Sequence, residues 1–343
     1  MLVSPEHKYL QYSGRIEDSN PQAPVFIFPA SSVTIRFCGR GIAVRLQNRR
    51  AYWNNYMGVI LDGAQSRICL TEKPDRERFV LAENLPDTEH TLMLFKRQDA
   101  CHEVTFLGFE LPEDAGILPP PAKPERRMEV YGDSVSAGEV AEAVEYTGKP
   151  DPEHNGEYSN AWFSYAWMTA RKLKAELHDI AQGGIALMDK EGYFHAPDYI
   201  GMEHVWDKVR YQPEAGTVRK WDFARYTPHV VVAAVGQNDR HPVDYMKEDP
   251  AGKRAEIWKE HYKSWITALR GKYPQALIVL ATTILEHDHS WDDAIGQVCR
   301  ELDDKRIVHF LYRRNGCGTP GHIRIGEAEE MARELAAFIG SRW

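Results

Sequence analysis

Cysteine is scarce in this chain. Its five residues, Cys38, Cys69, Cys101, Cys299 and Cys317, are odd in number and widely spaced, with no CxxC pair among them. That pattern excludes a disulfide framework and a clustered zinc site, and it reads as reduced thiols in a cytoplasmic protein. The opening residues, Met1 to His7, lack a basic segment followed by an apolar run, so no secretory signal is expected. A chain trimmed of its leader would read the same and would be secreted. Nowhere does an apolar run approach the roughly 20 residues that span a bilayer, which excludes a membrane-spanning helix. Positive charge is not in excess either. The formal net charge is −8 with both signs scattered, whereas the phosphate backbone of a nucleic acid calls for a basic surface.

What is present is an ordinary globular composition, 43% hydrophobic and 27% charged, over 343 residues, a length that suggests about two domains. The first third carries short apolar or alternating runs broken by turn signals. Ser32-Val33-Thr34-Ile35-Arg36-Phe37, Gly41-Ile42-Ala43-Val44-Arg45-Leu46 and His90-Thr91-Leu92-Met93-Leu94-Phe95 are examples, and Asp62-Gly63 is a strong hairpin dipeptide. Such spacing without helical periodicity indicates an all-β sandwich or jelly roll over residues 1–118. A proline-rich stretch, Leu118-Pro119-Pro120-Pro121-Ala122-Lys123-Pro124, then marks a boundary.

Beyond it the period changes. Apolar strands are expected at 127–131, 176–181, 229–235, 276–282 and 306–311, with helical patterns at 160–174, 252–271 and 324–340. Alternating strands and helices make residues 119–343 an α/β domain of three layers, α/β/α, around a parallel sheet. Ligands of such sheets bind beyond the carboxyl ends of the strands.

Four short motifs fall at those ends. Tyr131-Gly132-Asp133-Ser134 follows the first parallel strand and presents a serine at a tight strand-to-helix turn. Alone it reads equally as a helix cap. Gln182-Gly183-Gly184-Ile185 follows the second strand, where glycine lets a backbone N–H approach a ligand closely. Gly236-Gln237-Asn238-Asp239 follows the third strand and offers a side-chain amide. Asn315 to His322, rich in Gly and Pro, delivers a histidine before the last helix. Each motif has a bland reading as a turn or cap. Together they supply a nucleophile, Ser134, a base, His322, and oxyanion donors from the Ser134 backbone, Gly184 and Asn238.

These blocks resemble the SGNH hydrolase superfamily, with Ser134, Gly184, Asn238 and His322 at the four block positions. Either glycine of the pair Gly183-Gly184 fits the second block, because Ala186 stands where a further glycine is usual. With Arg15-Ile16-Glu17-Asp18-Ser19-Asn20-Pro21 and Asn55-Tyr56-Met57-Gly58-Val59-Ile60-Leu61-Asp62-Gly63 in a sandwich ahead of the hydrolase, the chain is similar to the family-two carbohydrate esterases. That resemblance implies a serine acetylesterase working through an acyl-enzyme on O-acetylated plant glycans such as xylan and mannan. It departs from the usual pattern at Thr319, where SGNH enzymes commonly carry an aspartate. No Asp or Glu lies between Asn315 and His322, so a Ser–His dyad oriented by a backbone carbonyl is the implied arrangement.

Aromatics are abundant, with 9 Trp and 16 Tyr. Those in irregular stretches are candidates for stacking on sugar rings. Trp206, Tyr193 and Trp291 are the choices, with His241 close enough to Asn238 to line the same pocket. His287, Asp288 and His289 are too close in sequence to converge on one ion, so neither metal nor cofactor is expected. Two rival functions remain: a lipid or thioester hydrolase of the same fold, and a non-catalytic carbohydrate-binding protein.

Overall fold

The structure is a computed structural model that describes residues 1–70, 76–213 and 218–343. Two antiparallel sheets occupy the first third. One orders the strands Leu2–Val3, Glu103–Glu110, Ile42–Arg49 and Arg76–Ala82. The other orders Gly116–Leu118, Ser32–Cys38, Glu89–Lys96, Asn55–Leu61 and Ala64–Leu70. Strict alternation explains their packing. Val33, Ile35 and Phe37 face inward with Val44, Leu46, Leu92 and Leu94, while Thr34 and Arg36 face away.

The five parallel strands lie in the order Ala175–Ala181, Arg126–Gly132, Val230–Ala234, Leu277–Leu280, Ile307–His309. Both faces are covered, which is why Val230-Val231-Val232-Ala233-Ala234 is apolar without interruption. Val231 and Ala233 pack towards Trp258, Tyr262 and Trp265 of the helix Lys253–Lys272. Val230 and Val232 pack towards Met331, Leu335 and Ile339 of the helix Ile325–Gly340, joined by the helix Tyr165–Lys172.

One helix was not expected. His289–Leu302 is α-helical, capped by Asp288, whose Oδ1 accepts from the Ser290 N–H at 3.0 Å. The polar run His287-Asp288-His289-Ser290 reads as a loop, but Trp291, Ala294, Ile295 and Val298 recur at helical spacing and are all buried.

The sandwich sits directly on the hydrolase layers. Val25, Ile27 and Phe28 belong to the same buried cluster as Val231 and Trp258, and Ala30 and Phe95 to the one on the opposite face. Arg15, fully buried, crosses between them. Its Nη1 donates to the carbonyls of Trp206 and Lys208 at 2.7 and 3.1 Å, and its Nη2 donates to the Tyr131 hydroxyl at 2.8 Å. The proline-rich stretch is strapped down rather than free. Its Pro121 and Pro119 carbonyls accept from Gln11 and Arg36 at 2.7 and 3.0 Å.

Candidate active site

A cavity of about 460 Å³ lies at the carboxyl ends of the parallel strands. Ser134, Gly183, Gly184, Asn238 and His322 all line it, together with Tyr52, Trp53, Glu139, Asp151, Tyr193 and Arg240.

The first block splits its duties. Asp133 is the helix cap: its Oδ1 accepts from the Val135 N–H at 3.0 Å, and its side chain is wholly buried. Its Oδ2 accepts from Gln237 Nε2 at 2.6 Å and Asn238 Nδ2 at 3.2 Å, which ties the first and third blocks together. Burial pushes this carboxyl up to about 6 against the pull of those bonds. Ser134, the next residue, starts the short helix Ser134–Ala137 and reaches the cavity wall. Gly132 is obligatory here, since a Cβ would meet Ser136 Oγ at 2.0 Å.

In the second block the pair of glycines separates by hydrogen bonding. The Gly183 N–H donates to Asp99 Oδ2 at 2.7 Å, and Gln182 Nε2 joins it on the same oxygen at 2.8 Å. Gly184, left-handed at φ 72°, is the glycine whose N–H is not drawn to Asp99. Asp99 belongs to the sandwich, so the first third of the chain holds this turn in place.

Asn238 Nδ2 also donates to the Ile185 carbonyl at 3.0 Å, which fixes the amide between the second and third blocks. Asp239 points the other way. It is buried against the Leu187 N–H, at 2.9 Å, and Trp258 Nε1, at 2.7 Å, and burial pushes it up to about 8.

The histidine corrects the sequence expectation of a dyad. His322 Nδ1 donates to Asp151 Oδ2 at 2.6 Å, and the His322 backbone N–H donates to Asp151 Oδ1 at 3.0 Å. Arg324 Nη2 donates to the same Oδ1 at 2.8 Å. The orienting group is therefore a carboxylate from a loop 171 residues away, not a backbone carbonyl. Thr319 turns instead to the carbonyls of Gly321 and His322. Although its own desolvation opposes the charged form, Asp151 lies well below the usual carboxylate range because His322 and Arg324 bind it. Burial alone would lower the His322 imidazole, but Glu139, the Asp151 hydrogen bond and the Asp151 and Asp133 charges raise it to about 9.

Of the aromatic choices, Tyr193 lines the cavity with half its surface exposed. His241 stacks behind it, centroids 4.2 Å apart, and its Nδ1 donates to the Gly192 carbonyl at 2.7 Å. It supports Tyr193 rather than lining the pocket. Trp206 and Trp291 are corrections. Trp206 packs on Phe223, centroids 5.4 Å apart, and does not line the cavity that Ser134 lines. Trp291 is 0% exposed in the helix His289–Leu302, packed edge-on against Trp258 and Tyr245, with Nε1 donating to Asp244 Oδ1 at 3.0 Å. A ring closed on all sides cannot stack on a sugar. Two aromatics that the sequence reading missed, Tyr52 and Trp53, come from a loop of the sandwich, with Trp53 braced on His154 at 4.6 Å. His287 uses both ring nitrogens, on the Leu285 carbonyl at 2.6 Å and on Asp292 at 3.1 Å.

Residues 12–121 match the family model described as carbohydrate esterase 2 N-terminal. The chain is 28% identical over 342 residues to the cellulase/esterase CelE of Acetivibrio thermocellus, a match that covers 96% of this chain and 39% of that protein. To the acetylxylan esterase / glucomannan deacetylase of Cellvibrio japonicus it is 25% identical over 343 residues, covering 97% and 88%. A family two carbohydrate esterase from Clostridium thermocellum, solved in complex with cellohexaose, superposes with TM-score 0.80 at 26% identity, covering 97% of this chain and 98% of that one. The likeness to family-two carbohydrate esterases read from the motifs thus extends along nearly the whole chain.

Proposed function

We propose that this protein is a serine esterase that removes O-acetyl groups from acetylated oligo- or polysaccharides of the mannan or xylan type. The observation that carries the reading is the Asp151–His322 hydrogen bond in the cavity that Ser134, Gly184 and Asn238 also line.

In this mechanism Asp151 holds the Nδ1 proton of His322, leaving Nε2 as the base for the Ser134 hydroxyl. The Ser134 oxygen attacks the acetyl carbonyl, and the tetrahedral oxyanion is met by the backbone N–H groups of Ser134 and Gly184 and by the Asn238 amide. Asn238 has to exchange its 3.2 Å bond to Asp133, the longer of its two, for the oxyanion. His322 returns the proton to the departing sugar hydroxyl and then activates water against the acyl-enzyme.

The cavity lining favours a sugar over a lipid. Tyr52 and Tyr193 offer exposed ring faces, Glu139 and Arg240 offer polar contacts, and among the described lining residues Leu285 and Pro320 are the aliphatic ones. A long acyl chain needs an apolar tunnel that such a lining does not make. The relative named for both acetylxylan and glucomannan points the same way. The test is acetate release from acetylated manno- and xylo-oligosaccharides, with NMR mapping of the products, beside nitrophenyl esters of increasing chain length. Acetate release from the glycans and a steep fall from acetyl to longer acyl groups are expected. Faster turnover of long acyl esters would overturn the reading in favour of a lipid hydrolase.

A further inference from the structure

Of the two carboxylates that line this cavity, Asp151 and Glu139, the second is used by neither the proton path nor the oxyanion site. It follows the helix Ser134–Ala137 and its left-handed cap Gly138, φ 73°, and its N–H donates to the Ser134 carbonyl at 2.9 Å. Its Oε2 lies 2.9 Å from the position a Cβ would take on Gly183, and Asp99 Oδ2 lies 2.7 Å from the same point. The carboxyl therefore rests against the glycine turn of the oxyanion site, one residue from Gly184.

Its neighbours differ from it in one respect. Asp99 accepts from Gln182 and Gly183. Asp151 accepts from His322 and Arg324. Glu139 receives no hydrogen bond among the described residues and interacts with His322, Asp99, Asp151 and Asp133 through charge alone. A half-buried carboxyl beside the nucleophile, given no donor by the protein, is an acceptor left for the substrate. Burial, and then the like charges of Asp99, Asp151 and Asp133, hold it up at about 7 against the pull of His322. A group so placed gains from a hydroxyl donor and is disfavoured by another anion.

We infer that Glu139 is a specificity-determining residue: its carboxylate accepts a hydrogen bond from a free hydroxyl next to the acetylated position on the sugar ring. This rests on the acetylesterase reading above and deepens it. The preferred substrate is then a neutral, mono-acetylated sugar residue. A vicinally diacetylated residue lacks the donor, and a uronate brings a second negative charge.

The test compares the full-length protein with Glu139→Ala on two methyl glycosides of one sugar, the first mono-acetylated and the second acetylated on both vicinal hydroxyls. Nitrophenyl acetate, which has no hydroxyl, serves as a third substrate. Wild type is expected to favour the mono-acetylated glycoside in kcat/KM by roughly 10- to 100-fold, the range for one hydrogen bond to a charged group. In Glu139→Ala that ratio collapses towards unity, while Glu139→Gln, which keeps an uncharged acceptor oxygen, lies between. A ratio does not depend on the folded fraction, so partial misfolding of a variant leaves the test intact. A wild-type ratio near unity, or one unchanged in Glu139→Ala, overturns the assignment. Turnover of nitrophenyl acetate with acetate released from neither glycoside would instead overturn the carbohydrate reading itself, and the hydroxyl partner with it.

Discussion

One parallel strand, Arg126–Gly132, carries a charged cluster in its middle and another just past its end, and the two are built in opposite ways. In the middle, Glu129 is fully buried. Its Oε1 accepts from the hydroxyls of Tyr131 at 2.5 Å and Tyr273 at 2.8 Å, with Arg15 Nη2 at 3.4 Å. The Arg15 guanidinium is enclosed by the rings of Phe28, Tyr131, Trp221 and Phe223. Both charged side chains of this cluster, Arg15 and Glu129, are closed to solvent. Past the strand's end, Glu139, Asp151 and His322 line an open cavity, with Asp133 buried next to Ser134, and burial and mutual charge displace their proton affinities from ordinary values. The lesson is that burial of charge does not by itself mark a site. The closed cluster locks the sandwich to the hydrolase layers, and the open one has unspent electrostatics to apply to a substrate.

Substitutions on the two sides should separate cleanly. Ser134→Ala should lower kcat by roughly 10⁶-fold with the melting temperature unchanged, because the loss is that of a nucleophile and not of packing. Residual activity within tenfold would remove Ser134 from the open cluster's chemistry. Arg15→Met should do the reverse. Leaving Glu129 buried without its cation costs about 3–5 kcal/mol in denaturant unfolding, while kcat/KM of the folded protein stays near wild type. A large loss of kcat/KM without loss of stability would join the two clusters functionally and break the comparison. Asn238→Ala should lower kcat by about 10²- to 10³-fold, or ~2.7–4 kcal/mol, with little change in KM, since the oxyanion exists only on the way to product. An effect confined to KM would make Asn238 a substrate contact. The smallest effect belongs to Trp206→Ala. Its ring packs on Phe223, so kcat/KM should be unaffected, and a clear rise in KM for a glycan would return it to the cleft.

The same contrast explains what was legible in the sequence. The four blocks were readable because each is local: a glycine, serine, asparagine or histidine just after an apolar strand, in a fold where strand ends are where ligands bind. The strands alternating in the first third and the unbroken apolar strand at 230–234 gave both layers of the architecture for similarly local reasons. Asp151 was not readable. It meets His322 through tertiary contact alone, from the loop Pro150-Asp151-Pro152, and nothing near either residue announces the other. Tyr52, Trp53 and Asp99 were hidden likewise, since their part in the site depends on how the sandwich docks. Trp291 was misplaced for a different reason. The polar run before it suggested a loop, and the apolar spacing after it, which betrays a helix, carried the better signal.

If Asp151, and not a backbone carbonyl, completes the machinery around His322, the pH dependence of kcat/KM in wild type and Asp151→Asn must show it. A base works only when unprotonated, and His322 is raised to about 9, so wild-type kcat/KM should climb with pH and level off above that value. Asp151→Asn should lower kcat by roughly 10⁴-fold, as expected when the imidazole loses the carboxylate that fixes its tautomer. The inflection should also move to lower pH, because one of the charges that raise His322 is gone. A variant within tenfold of wild type, with its inflection unmoved, would remove Asp151 from the machinery and return His322 to a dyad held by the backbone.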